Sequence, residues 1–108
     1  MSENIVVKAR HMDVTDAIRQ YVESKAPKLN RYYDGVGSIE VTLDVEAEQP
    51  VVEIIVTGRK KSTFVAKHRD RDMYACIDQC IHKVSEQLRR FKDKTRNHQG
   101  APQHEATQ

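Results

Sequence analysis

Ile5, Val7 and Ala9 alternate with Val6, Lys8 and Arg10, a period of two that predicts a short first strand. A helical period replaces it at once. Asp13 and Thr15 are both N-cap residue types. Val14, Ala17, Ile18, Tyr21, Val22, Ala26 and Leu29 follow in steps that keep one face apolar, so a helix is predicted to about residue 32. Pro27 interrupts it; a proline inside a helix lacks the backbone donor and crowds the preceding turn, so a kink is expected near residues 23–27. After the loop Asp34-Gly35-Val36-Gly37, Ile39, Val41, Leu43 and Val45 alternate with Glu40, Thr42, Asp44 and Glu46. This is the clearest strand in the chain, with one apolar face and one mostly acidic face. A turn over residues 47–50 leads to a strand over Val51–Thr57. Gly58-Arg59-Lys60-Lys61 turns the chain into a fourth strand over Ser62–His68, with Phe64 and Ala66 inward. Asp72 then caps a second helix whose seam is Tyr74, Ile77, Ile81, Val84, Leu88 and Phe91.

The order β-α-β-β-β-α with short links favours antiparallel hairpins. It predicts an α+β two-layer sandwich: one four-stranded sheet with both helices packed side by side on its apolar face. The second helix is expected to fray near Arg96, leaving one domain over residues 1–96 and a disordered tail over 97–108 that holds no large aliphatic residue.

Composition narrows the function. The chain has 108 residues, which suits one domain, and no stretch approaches the ~20 apolar residues of a membrane span. The N-terminus lacks a basic segment followed by a long apolar run, so no signal peptide is expected. Cys76 and Cys80 lie on one predicted helix, which is no secreted disulfide framework and fits a reducing cytoplasm. The formal charge of +2 is an average over opposed segments: +2 over residues 1–33, −6 over 34–53, +7 over 54–96 and −1 over 97–108. An acid block followed by a base block points to a polyanionic partner. The acidic strand face suggests an acidic patch on the sheet, which leaves the helix layer as the basic surface.

Projected at 100° per residue, Lys83, Arg90 and Lys94 fall within roughly 40° of one another, away from the apolar seam, in a stripe about 16 Å long. Arg89, Lys92 and Arg96 form a second row nearer the seam. Cations so spaced can contact successive phosphates and release counterions; a solvated helix face carries the same pattern. Lys25 projects near the middle of the first helix's apolar face, where a lone ammonium is costly to bury, so it should snorkel out at the groove between helices. Lys28 and Arg31 follow on adjacent turns. Tyr32-Tyr33 can stack on bases or cap the helix end against the core.

Enzyme signatures are missing. The chain has no Walker loop, no G-x-G-x-x-G and no G-x-S-x-G, so no catalytic residue and no cofactor is assigned. Cys76, Cys80 and His82 lack the second ligand pair of a zinc site, and Cys80 projects beside the seam, as a buried structural thiol does. His11, His68, His98 and His104 fall on different segments without a visible partner.

The run Asp72-Met73-Tyr74-Ala75-Cys76-Ile77-Asp78, followed by Ile81, Lys83, Gln87-Leu88 and Lys92-Asp93-Lys94, resembles the second-helix signature of the ribosome hibernation promoting factor family, short form. Val14-Thr15-Asp16-Ala17-Ile18-Arg19 and the stretch from Lys25 to Tyr33 resemble its first helix. The resemblance runs from about residue 4 to 96. It implies a fold akin to a double-stranded RNA-binding domain with an added strand, and a non-enzymatic translation inhibitor of stationary phase. Such proteins occupy the decoding region of the small ribosomal subunit with the basic helix surface on rRNA. By position, Lys25, Lys28, Lys83, Arg90 and Lys94 carry over as RNA contacts, with Arg31, Arg89 and Lys92 beside them. Glu86 departs from the pattern by breaking the stripe, and Pro27 bears on how Lys25 is presented. The short, non-acidic tail resembles the hibernation promoting type, which acts with ribosome modulation factor to form inactive ribosome dimers and is a monomer when free. Two other readings stay open: a ribosome-associated inhibitor that stalls single ribosomes and opposes dimerisation, and a general double-stranded RNA-binding module.

Overall fold

The computed structural model describes residues 4–33 and 35–100, with side chains through Lys94. Four strands, β1 (Ile5–Ala9), β2 (Val36–Glu46), β3 (Gln49–Gly58) and β4 (Thr63–Arg69), form one sheet in the order β1-β2-β3-β4. β1 runs parallel to β2; the other two pairings are antiparallel. The helices are α1 (Asp16–Lys25), α2 (Leu29–Tyr32) and α3 (Met73–Gly100). α1 begins where the Thr15 hydroxyl accepts a hydrogen bond from the Ile18 amide, so Thr15 rather than Asp13 is the cap. The break expected at Pro27 is a single 3-10 turn, Ala26–Lys28, joining α1 to α2. Asp72 caps α3 by accepting from the Ala75 amide at 3.3 Å.

One sheet face packs against the helices. Val22, Ala26 and Leu29 from the first helix and Ile77, Ile81, Val84 and Leu88 from α3 meet Val41, Leu43, Val52, Ile54 and Val56, all essentially inaccessible to solvent. Cys76 and Cys80 complete this core. Cys80 points at the carbonyls of Val52 and Ala66, and Cys76 at that of His68. α3 therefore lies over β3 and β4 and runs antiparallel to β4.

Beyond one-residue shifts at β3 and β4, three boundaries differ from those expected. β2 starts at Val36 instead of Ile39, because Val36 pairs with Gly58 across an irregularity at Gly37. The turn before β3 is two residues, not four: Ala47 and Glu48 have φ of 53° and 64°, the mirror-image turn that suits a twisted hairpin. α3 continues to Gly100 rather than fraying near Arg96. The stop signals lie there, a glycine followed two residues later by Pro102, which disfavours helix at the residue before it. The rest of the predicted tail, residues 101–108, is outside the described residues.

Candidate nucleic-acid interface

The topology sets the direction of every basic segment. Because β1 and β2 are parallel, the first helix must run back along the sheet, and it delivers Lys25, Lys28 and Arg31 to the end where β2 starts. All three stand in the last turns of their helical segments, where the helix dipole favours cations. α3 runs to the same end. Its Phe91 ring packs edge-on against Phe64 at the start of β4 and Tyr33 after α2, with centroids 5.2 and 5.3 Å away. The β3–β4 turn joins this end as well: the Arg59 amide donates to the Gly35 carbonyl at 3.1 Å. Tyr33 thus caps the helix against the core. Gly35 is needed beside it, because a Cβ there would overlap the Tyr33 ring.

Lys25 is half-buried at the groove between the helices. Its Nζ lies 5.3 Å from the centroid of the Tyr21 ring, a cation–π contact. Tyr21 in turn packs edge-on against Tyr74 and donates its hydroxyl to both oxygens of Asp78, at 2.8 and 2.9 Å. That hydrogen bond, with burial second, pushes the Tyr21 hydroxyl pKa up. The groove is therefore pinned by an aromatic pair, with Lys25 at its mouth. Lys28 and Arg31 are exposed.

The two basic rows of α3 lie on opposite flanks of the helix. Lys83 Nζ donates to the Lys67 carbonyl at 2.9 Å, and Gln87 Nε2 to the Val65 carbonyl at 2.7 Å. Gly58 and Ser62 form a hydrogen-bonded pair, so two-residue alternation turns the carbonyls of Val65 and Lys67 to the free edge of β4. The Lys83, Arg90 and Lys94 stripe therefore faces that edge, rather than the far side of the helix. Its first ammonium already has a partner. Arg89 is also engaged, by Glu86 at 3.0 Å one turn before it. Arg90, Lys92 and Lys94 are exposed and make no ion pair among the described residues.

The acidic side chains expected to form a patch on the sheet are partnered. Glu40, Asp44 and Glu46 do point away from the helices, but side chains from β1, from the segment after it and from β4 meet them. Lys8 pairs with Glu40, Arg69 with Glu46 at 3.1 Å, and His11 with Asp44 at 2.9 Å. The His11 hydrogen bond holds the Asp44 carboxyl pKa below its usual value, against the opposing effect of burial. Charge separates along the strands instead of between the layers. Asp13, Asp16, Glu48, Asp70 and Asp72 lie at the end holding the β2–β3 turn, together with the exposed cations Arg10 and Arg71, whereas Lys28, Arg31, Arg59, Lys60, Lys61, Arg90, Lys92 and Lys94, which make no ion pair among the described residues, lie at the other.

The base block of the sequence includes the turn before the fourth strand, which was not expected to join the binding surface. Arg59, Lys60 and Lys61 form the exposed tip of the β3–β4 hairpin at the cationic end. The run was legible as a turn, but only the topology places it beside the helix ends. The cysteines are set apart from this surface. Burial raises both thiol pKa values, Cys80 to about 12, so each remains a protonated donor to strand carbonyls. His82 is exposed on another face. No helix among the described residues is long and apolar enough to cross a membrane.

Comparison with known proteins agrees with this architecture. Residues 5–96 match the family model described as sigma 54 modulation protein / S30EA ribosomal protein. The chain is 37% identical over 90 residues to the ribosome hibernation promoting factor of Azotobacter vinelandii, covering 82% of this chain and 81% of that one. It is 32% identical over 94 residues to the protein of that name from Escherichia coli K12, covering 85% and 96%. Among solved structures, the N-terminal domain of Thermus thermophilus Protein Y superposes with a TM-score of 0.73 at 32% identity, covering 84% of this chain and 99% of that chain. A ribosomal subunit interface protein from Coxiella burnetii gives 0.72 at 26% identity, covering 82% and 97%. By a match that spans both helices and the whole sheet, this chain belongs to the sigma 54 modulation protein / S30EA ribosomal protein family.

Proposed function

We propose that this protein is a cytoplasmic ribosome hibernation factor that binds the small ribosomal subunit through rRNA, occupies its decoding region and promotes inactive ribosome dimers. It acts by binding, without catalysis or cofactor. The observation that carries this reading is that cations from separate segments, without an ion pair among the described residues, meet at one end of a protein whose net charge is only +2. Lys28, Arg31, Arg90, Lys92 and Lys94 are exposed there, so each can meet a phosphate without first breaking an internal ion pair. Lys25 adds a cation held in place by Tyr21. Lys83 and Arg89 serve the surface after exchanging a carbonyl or Glu86 for phosphate. The names carried by the Azotobacter vinelandii and Escherichia coli relatives support hibernation as the outcome. Action with ribosome modulation factor on the ribosome, by a free monomer, belongs to the same proposal.

A sucrose-gradient profile of stationary-phase lysate, with and without the protein, tests it. The proposal expects a ribosome-dimer peak that disappears on deletion and returns on complementation. A peak that persists or grows on deletion favours the alternative, a factor that stalls single ribosomes. Equal affinity for any RNA duplex and for ribosomes would make the protein a general double-stranded RNA-binding module instead.

A further inference from the structure

The β3–β4 hairpin ends in Gly58-Arg59-Lys60-Lys61-Ser62, closed by the Ser62 amide donating to the Arg59 carbonyl at 3.0 Å and the Gly58 amide to the Ser62 carbonyl at 2.8 Å. Its two central residues have φ of 56° and 64°. Such a mirror-image turn strongly favours Asn-Gly, because a side chain in the left-handed region crowds its own backbone. Two lysines stand there instead, at the cost of local conformational preference. Arg59, Lys60 and Lys61 are exposed, and none makes an ion pair or side-chain hydrogen bond among the described residues. The cations of the sheet's open face behave differently: Lys8, Lys67 and Arg69 each pair with a strand carboxylate. The tip also has a fixed position. The Arg59 amide is anchored on Gly35, and Phe64, Tyr33 and Phe91 lock the hairpin base to α3 and to the end of the first helix.

We propose that the hairpin tip Arg59-Lys60-Lys61 is a second phosphate-binding element that grips an RNA backbone passing the cationic end, in addition to the helix layer. Three adjacent cations on a rigid turn present a compact positive field to the phosphates of a structured RNA. Phosphate contacts of this kind orient a protein on RNA without reading sequence. The inference rests on the proposed rRNA binding, but it assigns part of that binding to a sheet element instead of the helices.

The test measures binding of the full-length protein to purified small ribosomal subunits across a salt series. Lys60→Asn/Lys61→Gly places the preferred residues in the turn, so its thermal midpoint should equal or exceed that of the unaltered protein. Its affinity should nevertheless fall roughly tenfold, with a plot of log K against log salt shallower by about 2 for the two cations removed. Arg90→Glu/Lys94→Glu is measured in parallel. If that helix variant weakens while the hairpin variant keeps its affinity and salt slope, the hairpin proposal is overturned and the helix-layer reading survives. Weaker binding with an unchanged slope also overturns it, because the tip would then contact protein. If the unaltered protein does not bind the subunit, the rRNA reading fails and the hairpin's role fails with it.

Discussion

Lys83 sits in the basic stripe of α3, yet its ammonium lies on the Lys67 carbonyl at the free edge of β4. Four residues along a helix advance about 6 Å, and two along a strand about 6.6 Å. Lys83 and Gln87 therefore match Lys67 and Val65 in step, and together they cover two carbonyls that an exposed edge would offer to another strand. Replacing Lys83 by Met keeps the aliphatic stem and removes the donor. An exposed hydrogen bond of this type contributes about 1 kcal/mol, its charge being largely screened by solvent. For a domain of this size, that loss lowers the melting temperature by roughly 4–6 °C. Lys83→Met should show such a drop in thermal denaturation, and Lys83→Met/Gln87→Met a larger one with stronger concentration-dependent association. Arg90→Met should leave the melting temperature nearly unchanged and weaken ribosome binding more than Lys83→Met does. The reasoning is refuted if Lys83→Met melts like the unaltered protein while losing as much ribosome affinity as Arg90→Met.

Other parts of the structure carry their own outcomes. Cys76 and Cys80 should resist thiol-labelling reagents near pH 8 in the native protein, because burial keeps both protonated, Cys80 with a pKa of about 12; labelling should begin only as the protein unfolds, and fast native labelling would contradict this. Asp44→Asn should lower the melting temperature at neutral pH. Because His11 depresses the folded-state pKa of Asp44, the contribution is complete above the ordinary carboxylate value. It is lost as pH falls through the depressed folded value, so the two proteins should converge in acid; a difference that stays constant down to acid pH would contradict the assignment. Phe91→Ala removes a half-buried ring that touches two others, a loss of roughly 2–4 kcal/mol. It should lower denaturant stability by that amount and loosen the hairpin base, seen as faster amide exchange at Arg59.

Much of this fold was legible in the alternation of β2 and in the α3 seam, because each is long and one-sided enough for the period to show through. The kink at Pro27 was legible for a local reason, the missing donor. Charge was harder to read. Glu40 and Glu46 look like an acidic face along one strand, but their partners Lys8 and Arg69 lie on strands whose register no local pattern reveals. For the same reason Lys83 looked free, since its carbonyl partner belongs to an edge strand 16 residues away in the chain. The hairpin tip was visible as a turn yet not as part of the surface, because only the sheet order brings Arg59 beside Gly35 and the end of α3.

The central claim is that the exposed cations at one end of the domain bind rRNA, and the salt dependence of binding to purified small ribosomal subunits tests it most directly. The account predicts affinity that falls steeply and linearly on a log–log plot against salt, and a loss of most binding in Arg90→Glu/Lys94→Glu at an unchanged melting temperature. Binding that is insensitive to salt, or intact in that variant, would contradict it.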